Sequence, residues 1–137
     1  MKVREVMHKQ ADVINLNHTV REAAQMMARG DYGCLPVEDN DKMIGMITDR
    51  DIAVRVVAKG LDPNNTKVSD CMSPGINFCF EEDDLDSVGT QMSSKKIRRM
   101  PVINQQKRLV GMLSLGDIAN KSRDQKLSHN ILSHVSH

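Results

Sequence analysis

Two four-residue patterns, Thr48-x-x-Asp51 and Ser114-x-x-Asp117, combine a hydroxyl with a carboxylate, each at a predicted strand-to-helix junction. Beside a helix N-terminus, free backbone N–H groups and the dipole attract anions, and a carboxylate there can accept hydrogen bonds from a ribose diol. The same spacing is also that of a plain helix cap, and a duplicated cap would repeat just as well. A third pattern, Lys95-Lys96-Ile97-Arg98-Arg99, sets four cations in five positions before the strand Met100-Pro101-Val102. Guanidinium groups pair bidentately with phosphate. Lys95 and Lys96 also suit the C-terminal dipole of the preceding helix. Arg98 and Arg99 sit where the strand starts, and at least one is expected to turn inward. Their counterparts in the first half of the chain, Gly33 and Cys34, carry no charge, so two phosphate sites would be unequal.

Other chemistry finds little support. There is no phosphate-cradling Gly loop with Lys-Ser/Thr, no H-E-x-x-H, and no Ser/His/Asp or Cys/His assembly, so the chain is not expected to be an enzyme. Cys34, Cys71 and Cys79 lack C-x-x-C spacing and read as reduced structural thiols. His129, His134 and His137 crowd the end of the chain without cysteine or carboxylate partners at ligand spacing, which favours a polar tail over a metal site. In that tail Leu127, Ile131 and Val135, with Leu132 alongside, have the spacing of a short amphipathic helix that could pack on the module or on a partner subunit.

The elements that must position these residues come from an internal repeat. Val3-Arg4-Glu5-Val6-Met7 corresponds to Val68-Ser69-Asp70-Cys71-Met72, and Pro36-Val37 to Pro101-Val102, at an offset of 65; residues 45–53 correspond to 111–119 at an offset of 66. Each copy opens with a helical turn or two. Short apolar strands follow over 13–16 and 76–80. Thr19-Val20-Arg21-Glu22 has capping-box form and starts a helix with Val20, Ala23 and Met27 in phase, stopped at Gly30. Asp84 caps the equivalent helix, with Leu85, Val88 and Met92 in phase, and the acidic run 81–86 complements its dipole better than it makes a metal or acid–base site. Hairpins are predicted over 35–47 and 100–113, and a second helix begins at Thr48 or Ser114. In the first copy that helix shows an apolar face of Ile52, Ala53, Val56 and Val57. The fold class is α/β (α+β), two pseudo-twofold-related units of about β-α-β-β-α that bury each other's open faces as one module.

The chain has 137 residues, the length of one domain or two half-size units. Its hydrophobic fraction is 39%, yet its aromatics are only Tyr32, Phe78 and Phe80 beside ten Met, so the core is aliphatic and thioether. Few aromatics and a net charge of +1 argue against nucleic acid as a partner. No apolar run reaches the roughly 20 residues that span a bilayer, and the start lacks the pattern of a secretory signal, so a cytoplasmic protein with no membrane partner is expected.

In their order and doubled spacing, Val6-Met7 and Cys71-Met72, Leu35-Pro36-Val37 and Met100-Pro101-Val102, and the endings Gly45-x-x-Thr48-x-x-Asp51 and Gly111-x-x-Ser114-x-x-Asp117 resemble a tandem pair of CBS domains, a Bateman module, over about residues 1–121. Thr48-Asp49-Arg50-Asp51-Ile52-Ala53 with Gly60-Leu61-Asp62-Pro63 is similar to the small stand-alone bacterial members, including the hypoxic-response type, which leaves no room for a fused enzyme or channel. The resemblance implies repeat 1 at 1–61, a linker at 62–67, repeat 2 at 68–121 and a tail at 122–137. It also implies inter-repeat clefts for an adenosine compound such as AMP, ADP, ATP or S-adenosylmethionine, bound as a regulatory ligand with no cofactor required. By position, Asp51 and Asp117 would hold ribose hydroxyls, Thr48 and Ser114 would lie near ribose or phosphate, and Arg98 and Arg99 would meet phosphates. Asp12, Val13, Leu35, Ile76, Asn77, Phe78 and Met100 would frame the base, with one cleft better filled than the other. A homodimer and a regulated protein partner are implied too; a ligand-free dimerisation or interaction module is the alternative reading.

Overall fold

The structure is a computed structural model that describes residues 1–128, with side chains described through Lys121. The terminal histidines, and Ile131, Leu132 and Val135 of the expected amphipathic helix, lie outside the described residues.

The helices start where local chemistry directs. Helix α1 (Val20–Gly30) is capped by Thr19, whose hydroxyl accepts the Glu22 N–H at 3.2 Å, and it buries Val20, Ala23 and Met27. The Glu22 carboxylate of the expected capping box is shared: it pairs with His18, accepts the Thr19 hydroxyl at 3.3 Å and interacts more weakly with the Thr19 backbone N–H. The His18 bond holds Glu22 below the usual carboxylate range. Gly30 is the last helical residue, and the left-handed position falls one later, at Asp31 with φ 56°. Gly30 is needed for space, since a Cβ there would lie 2.2 Å from Tyr32 Cε2. Helix α4 (Leu85–Ser94) begins at Asp84, whose carboxylate accepts the Ser87 N–H at 3.1 Å.

One hairpin holds the middle of each of two sheets. Strand β3 (Cys34–Asp39) pairs with β4 (Lys42–Thr48), and β7 (Arg99–Ile103) with β8 (Leu109–Ser114), with Cys34 opposite Thr48 and Arg99 opposite Ser114. The expected strands at 13–16 and 76–80 pair over two residues only, as β2 (Ile14–Asn15) parallel to β3 and β6 (Cys79–Phe80) parallel to β7.

Each hairpin gains a fourth strand that the repeat pattern does not announce. Strand β1 (His8–Lys9) runs antiparallel along β8, and β5 (Ser73–Pro74) along β4, giving sheets ordered β1-β8-β7-β6 and β2-β3-β4-β5. Gly45 and Gly111 admit these strands: a Cβ would stand 2.5 Å from the Ser73 carbonyl oxygen or 2.6 Å from that of His8. The 3-10 turn Val3–Glu5 goes with β1, and α3 (Val68–Cys71) with β5. The Val3 N–H therefore reaches the Asp83 carbonyl at 2.9 Å, while the Val68 N–H reaches that of His18 at 2.8 Å.

The compact units thus differ from the sequence copies. One comprises residues 12–76, the other residues 1–11 together with 77 onward, so each copy's opening segment folds with the other copy. Val68 and Cys71 join Val20, Leu35, Ile47 and Val56 in the first core; Val3 joins Val88, Met92, Met100 and Leu113 in the second.

Helix α2 (Asp49–Ile52) passes into a π turn, Ala53–Val57. The wider turn breaks the expected apolar face: Val56 is buried, but Val57 is 71% exposed. Helix α5 (Leu115–Ser128) continues through residues expected to be tail. Among the described residues, no helix is long and apolar enough to cross a membrane.

Three expected outcomes follow from this packing. Val3→Ala lowers the unfolding free energy by about 1–3 kcal/mol, and removal of residues 1–7 costs β7 and β8 their amide protection before β3 and β4, as read by hydrogen exchange. Burial pushes the Cys79 thiol up to about 12 from an ordinary 9. Above pH 9 the unfolded chain releases this proton while the folded chain keeps it, so the Cys79 contribution to stability falls as pH rises from 9 toward 12. Urea midpoints of wild type and Cys79→Ala across that range measure the difference.

Candidate functional site

Thr48 and Ser114 end their strands and cap the next helices, and in both units the caps are reciprocal. Asp51 donates its N–H to Thr48 Oγ1 at 3.1 Å and receives the Thr48 N–H on Oδ2 at 2.9 Å. Asp117 donates to Ser114 Oγ at 3.0 Å and receives the Ser114 N–H on Oδ2 at 3.1 Å. Capping thus engages one carboxylate oxygen and leaves Oδ1 for another partner. The Asp51 and Asp117 side chains are only 14% and 15% exposed, so each Oδ1 is a sheltered acceptor beside a helix N-terminus.

The two Oδ1 atoms face different side chains. His8 Nε2 lies 2.9 Å from Asp117 Oδ1, its imidazole 78% exposed. Arg55 Nε lies 3.9 Å from Asp51 Oδ1, while its Nη1 donates to the Cys71 and Met72 carbonyls at 3.2 Å each. Sequence reasoning missed both residues. Arg55 stands four residues after Asp51, a spacing visible in the sequence. His8 reaches Asp117 only because β1 lies along β8, which no local pattern announces.

Arg98 and Arg99 are brought to this same turn of the second unit. Arg99 is opposite Ser114 in the β7–β8 register, and the Arg98 carbonyl accepts the Leu115 N–H at 3.0 Å. The expected inward turn does not occur: both arginines are exposed, and the buried position is Met100. Neither guanidinium enters an ion pair among the described residues. In the other unit, buried Cys34 stands opposite Thr48 and the Gly33 carbonyl accepts the Asp49 N–H at 2.9 Å. The Asp49 carboxylate packs directly over Gly33, where a Cβ would lie 2.5 Å from Oδ2.

The residues expected to frame a base divide sharply. Leu35 and Met100 are wholly buried in the two cores, so neither side chain can touch a ligand; strand alternation points them into the sheet's packed face. Val13, Asn77 and Phe78 are exposed and Ile76 is half-buried. The Phe78 ring, 44% exposed, meets Phe80 edge-on at 6.0 Å. The Asp12 carboxylate accepts the Tyr32 hydroxyl at 2.7 Å, and burial, followed by this bond, raises the Tyr32 pKa. Asp12, Val13 and Ile76 belong to the unit of Thr48 and Asp51, and Asn77 and Phe78 to that of Ser114 and Asp117. Among the described residues, no three His, Cys, Asp or Glu side chains gather as a metal site.

The family model for the CBS domain matches residues 3–58 and 68–124. The chain belongs to the CBS domain family. It is 34% identical over 135 residues to the CBS domain-containing protein YhcV of Bacillus subtilis, covering 98% of this chain and 95% of that one. A crystal structure of Hypoxic Response Protein I with two coordinated zinc ions is 33% identical with a TM-score of 0.71, covering 88% of this chain and 98% of that one. The CBS domain pair of MJ0100, in complex with 5-methylthioadenosine and S-adenosyl-L-methionine, is 25% identical with a TM-score of 0.75, covering 92% and 98%. The fold of this chain is mixed α/β with two sheets, and the structures it resembles include that CBS domain pair.

Because both hydroxyls cap helices, Thr48→Ala and Ser114→Ala are each expected to lower stability by about 0.5–2 kcal/mol in urea titrations.

Proposed function

We propose that this CBS pair is a regulatory protein that binds an adenosine-containing ligand, AMP, ADP, ATP or S-adenosylmethionine, and passes the binding event to a partner. The observation that carries this reading is the division of labour within Asp51 and Asp117: Oδ2 holds the helix cap, while Oδ1 has only a side chain that a ligand can displace beside it, Arg55 at 3.9 Å in one unit and the exposed His8 at 2.9 Å in the other. A ribose hydroxyl is a natural donor to such an oxygen. In the second unit Arg98 and Arg99, unpaired among the described residues, flank Ser114 and suit a phosphate, and Phe78 offers an exposed ring for a base. The MJ0100 complex supports this ligand class.

The ligand acts as a regulator rather than a resident cofactor, and no catalytic role is proposed. A cytoplasmic location suits three buried cysteines that form no disulfide among the described residues. Signalling runs through a change in conformation or in the arrangement of a homodimer. Self-association is favoured by Val54 and Val57, both exposed on the π turn. That surface is also what a ligand-free interaction module would use, and the second reading rests on it.

A thermal-shift panel of AMP, ADP, ATP, NADH and S-adenosylmethionine tests the ligand. At a concentration of 100 Kd the right compound adds about 2.7 kcal/mol of apparent stability. Asp117→Ala abolishes the shift from phosphorylated compounds and Arg98→Ala reduces it. If no compound moves the midpoint, the sensor reading is lost and the interaction module stands. Regulation further requires differential affinity for two states, so scattering profiles must differ with and without saturating ligand.

A further inference from the structure

We propose that the two units sort adenosine ligands by charge. The unit of Ser114 and Asp117 takes a phosphorylated adenosine, and that of Thr48 and Asp51 takes one without phosphate, either neutral or bearing a sulfonium cation. The proposal rests on the adenosine reading above and goes beyond it by assigning a ligand class to each unit.

The argument begins with matched backbone. In one unit the Gly33 carbonyl accepts the Asp49 N–H at 2.9 Å and Cys34 is opposite Thr48; in the other the Arg98 carbonyl accepts the Leu115 N–H at 3.0 Å and Arg99 is opposite Ser114. Residues 33, 34 and 49 therefore occupy the places of 98, 99 and 115. The side chains at those places are Gly, Cys and Asp in one unit and Arg, Arg and Leu in the other. Where the second unit sends out the stem of Arg98, the first has the Asp49 carboxylate, with Oδ2 2.5 Å from the point at which a side chain on residue 33 would begin. Asp49 Oδ1 accepts the Arg50 N–H at 2.9 Å, which fixes the group there.

The turn before the helix thus carries two exposed arginines in one unit and a carboxylate packed over Gly33 in the other. The nearby cations do not restore the balance. Arg55 faces Asp51 Oδ1 at 3.9 Å and donates to two carbonyls. The Arg50 side chain is exposed, and it is the Arg50 backbone N–H that holds Asp49. Two like charges a few ångströms apart in this partly screened setting cost about tenfold in affinity, and a cation in the same place gains by a similar factor. The proposal therefore concerns specificity, while Asp Oδ1 accounts for recognition of the ribose in both units, with the exposed His8, 2.9 Å from Asp117 Oδ1, giving way to the ligand in the second.

Calorimetry on the full chain tests the sorting with AMP, 5-methylthioadenosine and S-adenosylmethionine as probes. In wild type, one equivalent of AMP binds with an affinity that saturating 5-methylthioadenosine changes by less than about twofold. Arg99→Ala weakens AMP at least about tenfold more than it weakens 5-methylthioadenosine. Asp49→Asn, which keeps an acceptor for the Arg50 N–H, admits a second equivalent of AMP and narrows the preference for S-adenosylmethionine over 5-methylthioadenosine. Displacement of AMP by 5-methylthioadenosine overturns the sorting. So do two equal AMP sites in wild type, or unchanged AMP stoichiometry in Asp49→Asn. If none of the three probes binds wild type, it is the adenosine reading itself that has failed.

Discussion

Everything in this fold depends on closing a sheet edge. A hairpin with one parallel neighbour leaves the outer strand with unpaired N–H and C=O groups, a condition that proteins cover or terminate. Here β4 and β8 are each covered by a two-residue strand from the opening segment of the other sequence copy, and Gly45 and Gly111 make the approach possible. The same segments carry Val3 and Val68 into the cores, so edge closure and core completion are a single event. It also sets His8 against Asp117, which makes the environment of that carboxylate a product of the crossed connection.

The S/T-x-x-D patterns show why a structural and a functional account of one motif need not compete. A carboxylate has two oxygens and about four acceptor positions, and a helix cap engages one oxygen. In both units the cap is made with good geometry, and the remaining oxygen is held still by it. Capping preorganises the acceptor, which lowers the cost of orienting it when a ligand arrives. The repeated backbone then acts as a fixed frame on which a few substitutions at 33, 34 and 49, against 98, 99 and 115, set the sign of the local charge.

What was legible in the sequence followed from how local its cause is. Thr19, Asp84, Thr48 and Ser114 announce helix starts through side chains that bond within three residues, and the hairpins follow from apolar runs around polar turns. Strands β1 and β5 carry no such signal: His8-Lys9 and Ser73-Pro74 become strands only because a distant edge pairs with them. The burial of Leu35 and Met100 was hidden for a related reason, since a residue next to a proposed site in sequence can point into the opposite face of its sheet. The outward placement of Arg98 and Arg99 and the π turn that exposes Val57 likewise depend on packing rather than on pattern.

The crossed openings also bear on how the chain can be divided. A break anywhere in 62–67 falls between the sequence copies, yet each fragment would keep elements of both compact units, the first supplying Val3 and β1 to one, the second supplying α3 and β5 to the other. Severing the peptide bond would therefore not liberate a folded half. The fragments would stay interlocked as a nicked protein, and neither copy made alone could bury its own sheet edge. Duplication has here produced two repeats that are alike in sequence but no longer separable as folding units.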